Sequence, residues 1–327
     1  MHAIRQYEFG PAENLRYEEV EDPSPGPGQV RIAVRSAGVH FIDTALRSGQ
    51  VGGSFPLPEL PMTPGREVAG VIDDLGDGVD ADWLGARVVA HLGPASGGYA
   101  ELAVRDVSAI HALPDGLGFD VAVAMIGTGR TTMGILDVAQ LSPDDVVLVM
   151  AAAGGIGNLL VQTGRNLSAT VVGAAGGPDK VRLVRQAGAT IAVDYNQPGW
   201  TERVREELEG REVTVVLEGL GGELGRQAME LLGPGGRLIM YGWAAGAGQP
   251  TRVTTEDLTG RSLTASWALG PAMFRRRDMP ALEAASLAEA AEGRLIPAVQ
   301  AFPLKDAAAA HAALETRATT GKVVLHP

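Results

Sequence analysis

The sequence contains no cysteine. That excludes disulfides, thiolate catalysis and cysteine-ligated zinc, and it fits a protein of the reducing cytoplasm. Long apolar runs are missing too. No window approaches the ~18 consecutive apolar residues that span a bilayer. The start, MHAIRQYEFGPAENL, lacks the charged-then-apolar pattern of a secretory signal. The expected location is therefore the cytoplasm, with no membrane partner. Excess positive charge is also absent, since the formal net charge is −12. This argues against a dedicated nucleic-acid or anionic-membrane surface. The one basic run, RRR at 275–277, reads as a solvated corner. What remains is an ordinary globular composition, 45% hydrophobic and 20% charged over 327 residues, enough for two domains with separate cores.

Up to about residue 110 the chain is built of short strand-like runs broken by Gly and Pro: Val30–Val34, Val68–Ile72, Arg87–Ala90 and Tyr99–Val104. They predict a compact β-rich domain. The segment DPSPGPGQ at 22–29 is a turn-rich connector. VHFIDTALRSG at 39–49 reads as a strand end passing into a short helix, which puts His40 and Asp43 on one face of a helical turn. Taken alone, Asp43 reads first as a helix cap and His40 as a satisfied, half-buried polar group. From about 125 strands and helices alternate, which predicts an α/β domain with a doubly wound parallel sheet. Its strands are Val146–Met150, Ser168–Ala175, Thr190–Asp194, Val213–Leu217, Arg237–Tyr241 and Leu263–Trp267, with helices at Pro178–Ala187 and Thr201–Glu209. Glycines 219, 221, 222 and 242 follow strand ends, where ligands sit in such sheets. Helices at Pro280–Glu292 and Asp306–Thr316 precede a last strand, Lys322–Leu325, expected to return to the first domain.

The segment VVLVMAAAGGIG at 146–157 organises the second domain. An apolar strand runs into Gly154, Gly155 and Gly157, whose missing Cβ atoms allow a sharp turn and close approach to a pyrophosphate. The next helix, expected from near Asn158, would face the phosphates with its free N–H groups. The first glycine of G-x-G-x-x-G is absent, so alone the pattern also suits a helix-packing turn. At the end of the second strand, where an NAD site carries an acid, stand Ala174, Ala175, Gly176 and Gly177. With no carboxylate there, and Lys180 in the first turn of the following helix, the site suits NADP(H). Arg182 and Arg185 read instead as a solvated helix face.

In their fixed order, VHFIDTALRSG (39–49), PGREVAGVIDDLGDGV (64–79), AAAGGIG (151–157), GGRLIMYG (235–242) and ETRATTGKVVLHP (315–327) resemble the zinc-free quinone oxidoreductases of the medium-chain dehydrogenase/reductase superfamily. The resemblance covers nearly the whole chain. It implies a GroES-like substrate domain from 1–124 and 268–327, a Rossmann domain from 125–267, NADPH as cofactor, and a homodimer through the nucleotide domains. It implies that Ala153, Gly154, Gly155 and Ile156 hold the pyrophosphate, and that Gly176, Lys180 and Tyr195 surround the 2′-phosphate. Tyr195 also fits on chemistry, as a hydroxyl donor. Gly219, Tyr241, Gly242 and Trp243 would line the cofactor, with Thr131 and Trp267 nearby. Arg317 would close over it from the tail, or else sit as a cation at a helix end.

Three departures from that pattern bear on function. Zinc-dependent relatives have histidine where this chain has Arg66, so no metal is expected. Quinone reductases usually have asparagine in place of His40, and commonly tyrosine in place of Val51. The expected activity is metal-free hydride delivery from NADPH to a quinone or to the β-carbon of an α,β-unsaturated carbonyl. His40 would donate a hydrogen bond or proton to the developing oxyanion, with Asp43 orienting it or holding the ribose. The alternatives are a pathway-specific enoyl reductase acting on a polyketide or acyl-thioester enone, and an NADPH-binding structural or sensor protein. Small residues at Ala45, Gly49, Val51, Gly52 and Gly53 would admit a bulky ligand or simply form a flexible loop.

Overall fold

Alternating apolar positions fold into a sheet with one wet face, and continuous apolar runs into a sheet buried on both faces. The chain contains both kinds. The computed structural model describes residues 1–50, 57–93, 97–245, 249–270 and 277–327. Val51, Gly52 and Gly53 lie outside the described residues, as do the first two arginines of the 275–277 run. Two compact units are formed: Met1–Thr128 with Ser286–Ala291 and Pro297–Pro327, and Gly129–Ala285 with Glu292–Ile296. The boundaries expected at 124/125 and 267/268 correspond here to 128/129 and to a return at Ser286.

The first unit begins with the hairpin-like pair β1 (His2–Gln6) and β2 (Leu15–Glu19), neither of which the periodicity announced. Then come β3 (Gln29–Val39), α1 (Phe41–Ser48), β4 (Glu67–Leu75), β5 (Arg87–His91), β6 (Leu102–Asp106), β7 (Ile110–Ala112) and α2 (Phe119–Ala124). Along β3 the alternate residues Val30, Ile32 and Val34 point into the core. That alternation fixes its register. A π-helical turn, Met125–Gly129, carries the chain into the second unit.

The second unit runs α3 (Arg130–Ala139), β8 (Val146–Val149), α4 (Gly155–Asn166), β9 (Thr170–Ala175), α5 (Pro178–Gln186), β10 (Ile191–Asp194), α6 (Trp200–Glu207), β11 (Val213–Glu218), α7 (Gly222–Glu230), β12 (Leu232–Met240), α8 (Thr255–Gly260) and β13 (Thr264–Trp267). Its strands lie in the order β10-β9-β8-β11-β12-β13 and all pair in parallel. The order reverses beside β8, which makes the carboxyl end of β8 the topological switch point. α9 (Met279–Ala291) crosses from the second unit to the first at Ser286, and β14 (Val299–Pro303), α10 (Ala307–Glu315) and β15 (Lys322–His326) belong to the first unit. There β15 pairs antiparallel with β3, giving the order β14-β15-β3-β4-β5-β7, and β6 also pairs with β3.

α4 starts at Gly155, three residues earlier than expected. Gly154, extended at φ −79° and ψ 171°, is its N-cap, so Gly155 and Gly157 fall inside the first turn. Just before it Ala151 sits in the left-handed region at φ 51°, an alanine strained by the turn. Its carbonyl accepts from Gly154 N at 2.9 Å. A Cβ on residue 157 would come within 2.3 Å of that same oxygen. Gly157→Ala is therefore expected to destabilise the second unit by about 1–3 kcal/mol, read as a lowered urea midpoint at unchanged slope.

Candidate functional site

At the switch point the first turn of α4 carries no acidic residue, and its N-cap, Gly154, offers no side chain to the turn's N–H groups. Such a helix end attracts anions. β9 ends at Ala175, followed by Gly176 and by Gly177 at φ 95°. A Cβ on Gly176 would meet the Tyr195 ring at 3.0 Å and its hydroxyl at 3.2 Å, so the glycine leaves room beside that phenol. Lys180 lies in the first turn of α5, which opens with Pro178. A carboxylate is nevertheless close by, from the next strand. Asp194 accepts from Gly177 N and Asn196 N, each at 2.9 Å, and from Gln197. Despite some burial, these donors hold its carboxyl below the ordinary range. Asp194 thus serves to shape the corner, with its oxygens already engaged. The residues present fit a dinucleotide phosphate group on both counts, helix N-terminus and glycine-lined cationic corner.

Elsewhere in this unit the strand ends are less open than the sequence suggested. Tyr241 is 8% exposed and donates to the Met150 carbonyl at 3.3 Å. Burial pushes its hydroxyl well above the ordinary value. Its ring occupies the space that a Cβ on Gly219 would need, 2.4 Å away, and a Cβ on Gly242 would lie 2.8 Å from the Gly219 carbonyl oxygen. Trp243 and Trp267 are exposed and stack on each other, with centroids 5.2 Å apart and planes at 18°. Thr131 is half-buried in the first turn of α3. Sequence reasoning missed Glu218, which is fully buried at the end of β11. It accepts from Leu220 N, Gly221 N and Thr251 Oγ1, pinning the loop that holds Gly219. Burial outweighs those donors and raises its carboxyl. The one signal for it was an acid ending an apolar β-branched run.

In the first unit His40 stands between β3 and α1. Its N–H donates to Asp43 Oδ2 at 2.8 Å, and Asp43 N closes on the His40 carbonyl at 3.0 Å. Asp43 is thus a cap, as the bland reading had it, and it does more. Its Oδ1 lies 3.2 Å from Arg66 Nε, and its Oδ2 accepts from the Tyr99 hydroxyl at 3.3 Å. The His40 ring turns toward a cluster that sequence reasoning missed. Nε2 lies 2.6 Å from Glu67 Oε1 and 2.9 Å from Lys322 Nζ, and Nζ donates to Glu67 Oε2 at 2.9 Å. Glu67 opens β4 and Lys322 opens β15; both flank β3. Gly38 on β3 is what admits them, since a Cβ there would lie 2.3 Å from Glu67 Oε2. Glu67 has no exposure at all. Burial would push its carboxyl up, but the charges of His40 and Lys322 hold it well below the ordinary range. Both residues stood in the motifs PGREVAG and TGKVVL. Nothing local in those motifs says that they meet. Arg317, in the same tail, is an exposed non-glycine residue in the left-handed region at φ 58°.

Residues 155–285 match the zinc-binding dehydrogenase family, and residues 26–115 the alcohol dehydrogenase GroES-like domain. A quinone oxidoreductase of Pseudomonas aeruginosa is 33% identical over 98% of this chain and 97% of its own length. The chain belongs to the quinone oxidoreductases of the medium-chain dehydrogenase/reductase superfamily. Also similar is the 2-haloacrylate reductase of a Burkholderia species, 33% identical over 100% of this chain and 99% of its own length. Among solved structures, Escherichia coli quinone oxidoreductase complexed with NADPH aligns over 100% of both chains at a TM-score of 0.86 and 28% identity. Family membership agrees with the α/β architecture of a GroES-like sheet and a parallel Rossmann sheet. Among the described residues, no helix is long and apolar enough to cross a membrane.

Behind Asp43 lies His311, fully buried in α10, with Nε2 3.1 Å from the Tyr99 hydroxyl and Nδ1 unpartnered. Burial, reinforced by Arg47 and opposed by Asp43, lowers it from its ordinary 6.5 to about 4. The unfolded chain therefore binds a proton that the folded chain refuses between these values. Stability contributed by neutral His311 is complete above about pH 6.5 and is lost as pH falls toward 4. The loss should reach about 3 kcal/mol. Urea midpoints between pH 7 and pH 4 should show this slope, and His311→Gln should flatten it.

Proposed function

We propose that the chain is an NADPH-dependent reductase that passes a hydride to a quinone or an α,β-unsaturated carbonyl without a metal. The observation that supports the cofactor reading is the corner at the end of β9, where Gly176 leaves room beside the Tyr195 ring and hydroxyl, Lys180 lies in the first turn of α5, and the nearby carboxylates are engaged, Asp194 by backbone N–H groups and Asp179 by Arg182. A 2′-phosphate needs that combination of space, cation and donor. NADPH, when bound, supplies the hydride. Ala153, Gly154, Gly155 and Ile156 would hold its pyrophosphate at the helix end. Thr131, Gly219, Gly242, Trp243 and Trp267 would border the rest, with Tyr241 acting from beneath as packing for Gly219. His40 would stabilise and protonate the oxyanion left on the reduced acceptor, and Asp43 fixes its backbone. The 2-haloacrylate reductase relative favours a second reading, in which activated alkenes are the only acceptors. The second unit's sheet ends at β13, the edge through which a homodimer would form.

Steady-state consumption of NADPH and NADH with a small quinone, a cyclic enone and a 2-haloacrylate tests the reading. Preference for NADPH with turnover of either acceptor class supports it; absence of turnover with all three overturns it. His40→Ala is expected to lower kcat by ~10²-fold or more while leaving NADPH affinity unchanged. Arg317→Gly separates function from fold. Relief of the left-handed backbone should add about 1 kcal/mol of stability, seen as a higher melting temperature, while KM for NADPH rises.

A further inference from the structure

Arg66 lies just before β4, between Gly65 at φ 95° and Glu67. Its side chain is 16% exposed, and its Nε stands 3.2 Å from Asp43 Oδ1. Among the described residues, no acceptor takes a hydrogen bond from its Nη1 or Nη2. A guanidinium carries five N–H donors in a rigid fork, so most of this one is unused. Comparably buried arginines use theirs. Arg31 donates to both oxygens of Asp73, Arg47 to the Gly10 carbonyl and Glu315, Arg130 to Glu283, and Arg237 to Asp145. Nor is the Arg66 fork sealed off. Arg47 Nε and Arg105 Nε are buried without a partner, whereas no nitrogen of Arg66 is. Its Nη edge therefore reaches solvent. The acids around it do not need that edge. Asp43 holds Nε with Oδ1, and its Oδ2 takes the His40 N–H and the Tyr99 hydroxyl. Glu67 has Lys322 and His40.

We infer that Arg66 anchors an anionic acceptor, an α,β-unsaturated carboxylic acid whose carboxylate sits on Nη1 and Nη2. This rests on the activated-alkene reading of the function and names the substrate class within it. The outer edge of a guanidinium presents two parallel donors, the arrangement that a carboxylate meets with both oxygens. A quinone carbonyl or an ester would use one of those donors and brings no charge. Asp43 ties the anchor to the rest of the site, since its two oxygens fix the backbone of His40 and the Nε of Arg66. An acid clasped by Arg66 is thereby positioned against His40 through one shared carboxyl group. Arg66 makes and breaks no bond in this scheme. It selects acceptors by charge and orients them, while its Nε keeps Asp43 paired.

Two measurements test the anchor. The first is binding, on the full chain without cofactor, of 2-chloropropionate, a saturated acid that no hydride can reduce, with 2-chloropropionamide as its neutral counterpart. Ligand resonances in NMR are expected to broaden for the acid, not for the amide, and the broadening should vanish in Arg66→Gln. Equal binding of acid and amide, no binding of the acid, or undiminished binding in Arg66→Gln overturns the proposal. The second is kcat/KM for 2-chloroacrylate against its methyl ester. Arg66→Lys keeps a counter-charge for Asp43 but loses the fork, and it covers the case in which Arg66→Gln does not fold. In it the acid-to-ester ratio is expected to fall at least ~10-fold, carried by KM for the acid, with the ester rate unchanged. Equal losses on acid and ester would mean that Arg66 serves Asp43 alone, and the anchor is then wrong. If the wild-type protein reduces neither compound, the proposed function fails, and selective binding of 2-chloropropionate still decides whether Arg66 holds a carboxylate.

Discussion

An ionised carboxylate with no access to water is the constraint on which the first unit depends. Glu67 is buried completely, and an isolated charge in that position would cost many kcal/mol. Its compensation comes from a lysine 255 residues away in the chain. Removing one partner of such a pair typically costs about 3–5 kcal/mol, because the other charge stays buried and uncompensated. A hydrophobic pair of equal volume would serve stability as well or better. The retention of two charges and an imidazole in one buried corner therefore belongs with the chemistry proposed for His40. Gly38 and Gly127 bear the same mark, since each is a position where any side chain would displace the carboxylate.

The second unit solves a different problem, that of presenting polar backbone to a charged ligand while keeping a dry core. Val147, Leu148 and Val149 are fully buried, and one residue beyond Met150 the chain turns through a strained alanine into an uncapped helix. Strain and uncapped N–H groups both cost stability in the free protein. A bound phosphate group would satisfy the second of these. Asp194 and Glu218 do comparable work on the loops after β9 and β11, each using backbone N–H donors to hold a glycine turn in place.

Elements with a strong period were legible in the sequence. The six parallel strands, the helices that begin at Pro178 and near Pro280, and the returning final strand all lie within a few residues of their expected positions. The short, half-exposed β1, β2 and β14 were not, because burial of alternate residues there is set by partners distant in sequence. The helix after the glycine loop was placed late because glycine reads as a breaker, whereas here two glycines occupy the first turn. At the candidate site, His40 and Asp43 stood out as a spaced pair. What they touch was not legible. Glu67, Tyr99, His311 and Lys322 converge only when strands far apart in the chain lie side by side, and nothing local to PGREVAG or TGKVVL encodes that meeting.

The discontinuity of the first unit has a bearing on the order in which the protein is made. The ribosome delivers the whole of Gly129–Ala285 as one stretch, so the Rossmann unit can close its sheet while synthesis continues. The β-rich unit cannot. Its strands β3 and β4 emerge early, but they leave Glu67 without the Lys322 counter-charge and β3 without its partner β15 until both have been synthesised. For most of synthesis the earlier part of the chain must wait on the later. A nascent chain halted just short of Lys322 would carry a finished nucleotide unit attached to an unfinished one, with an exposed strand edge open to chaperones and to aggregation.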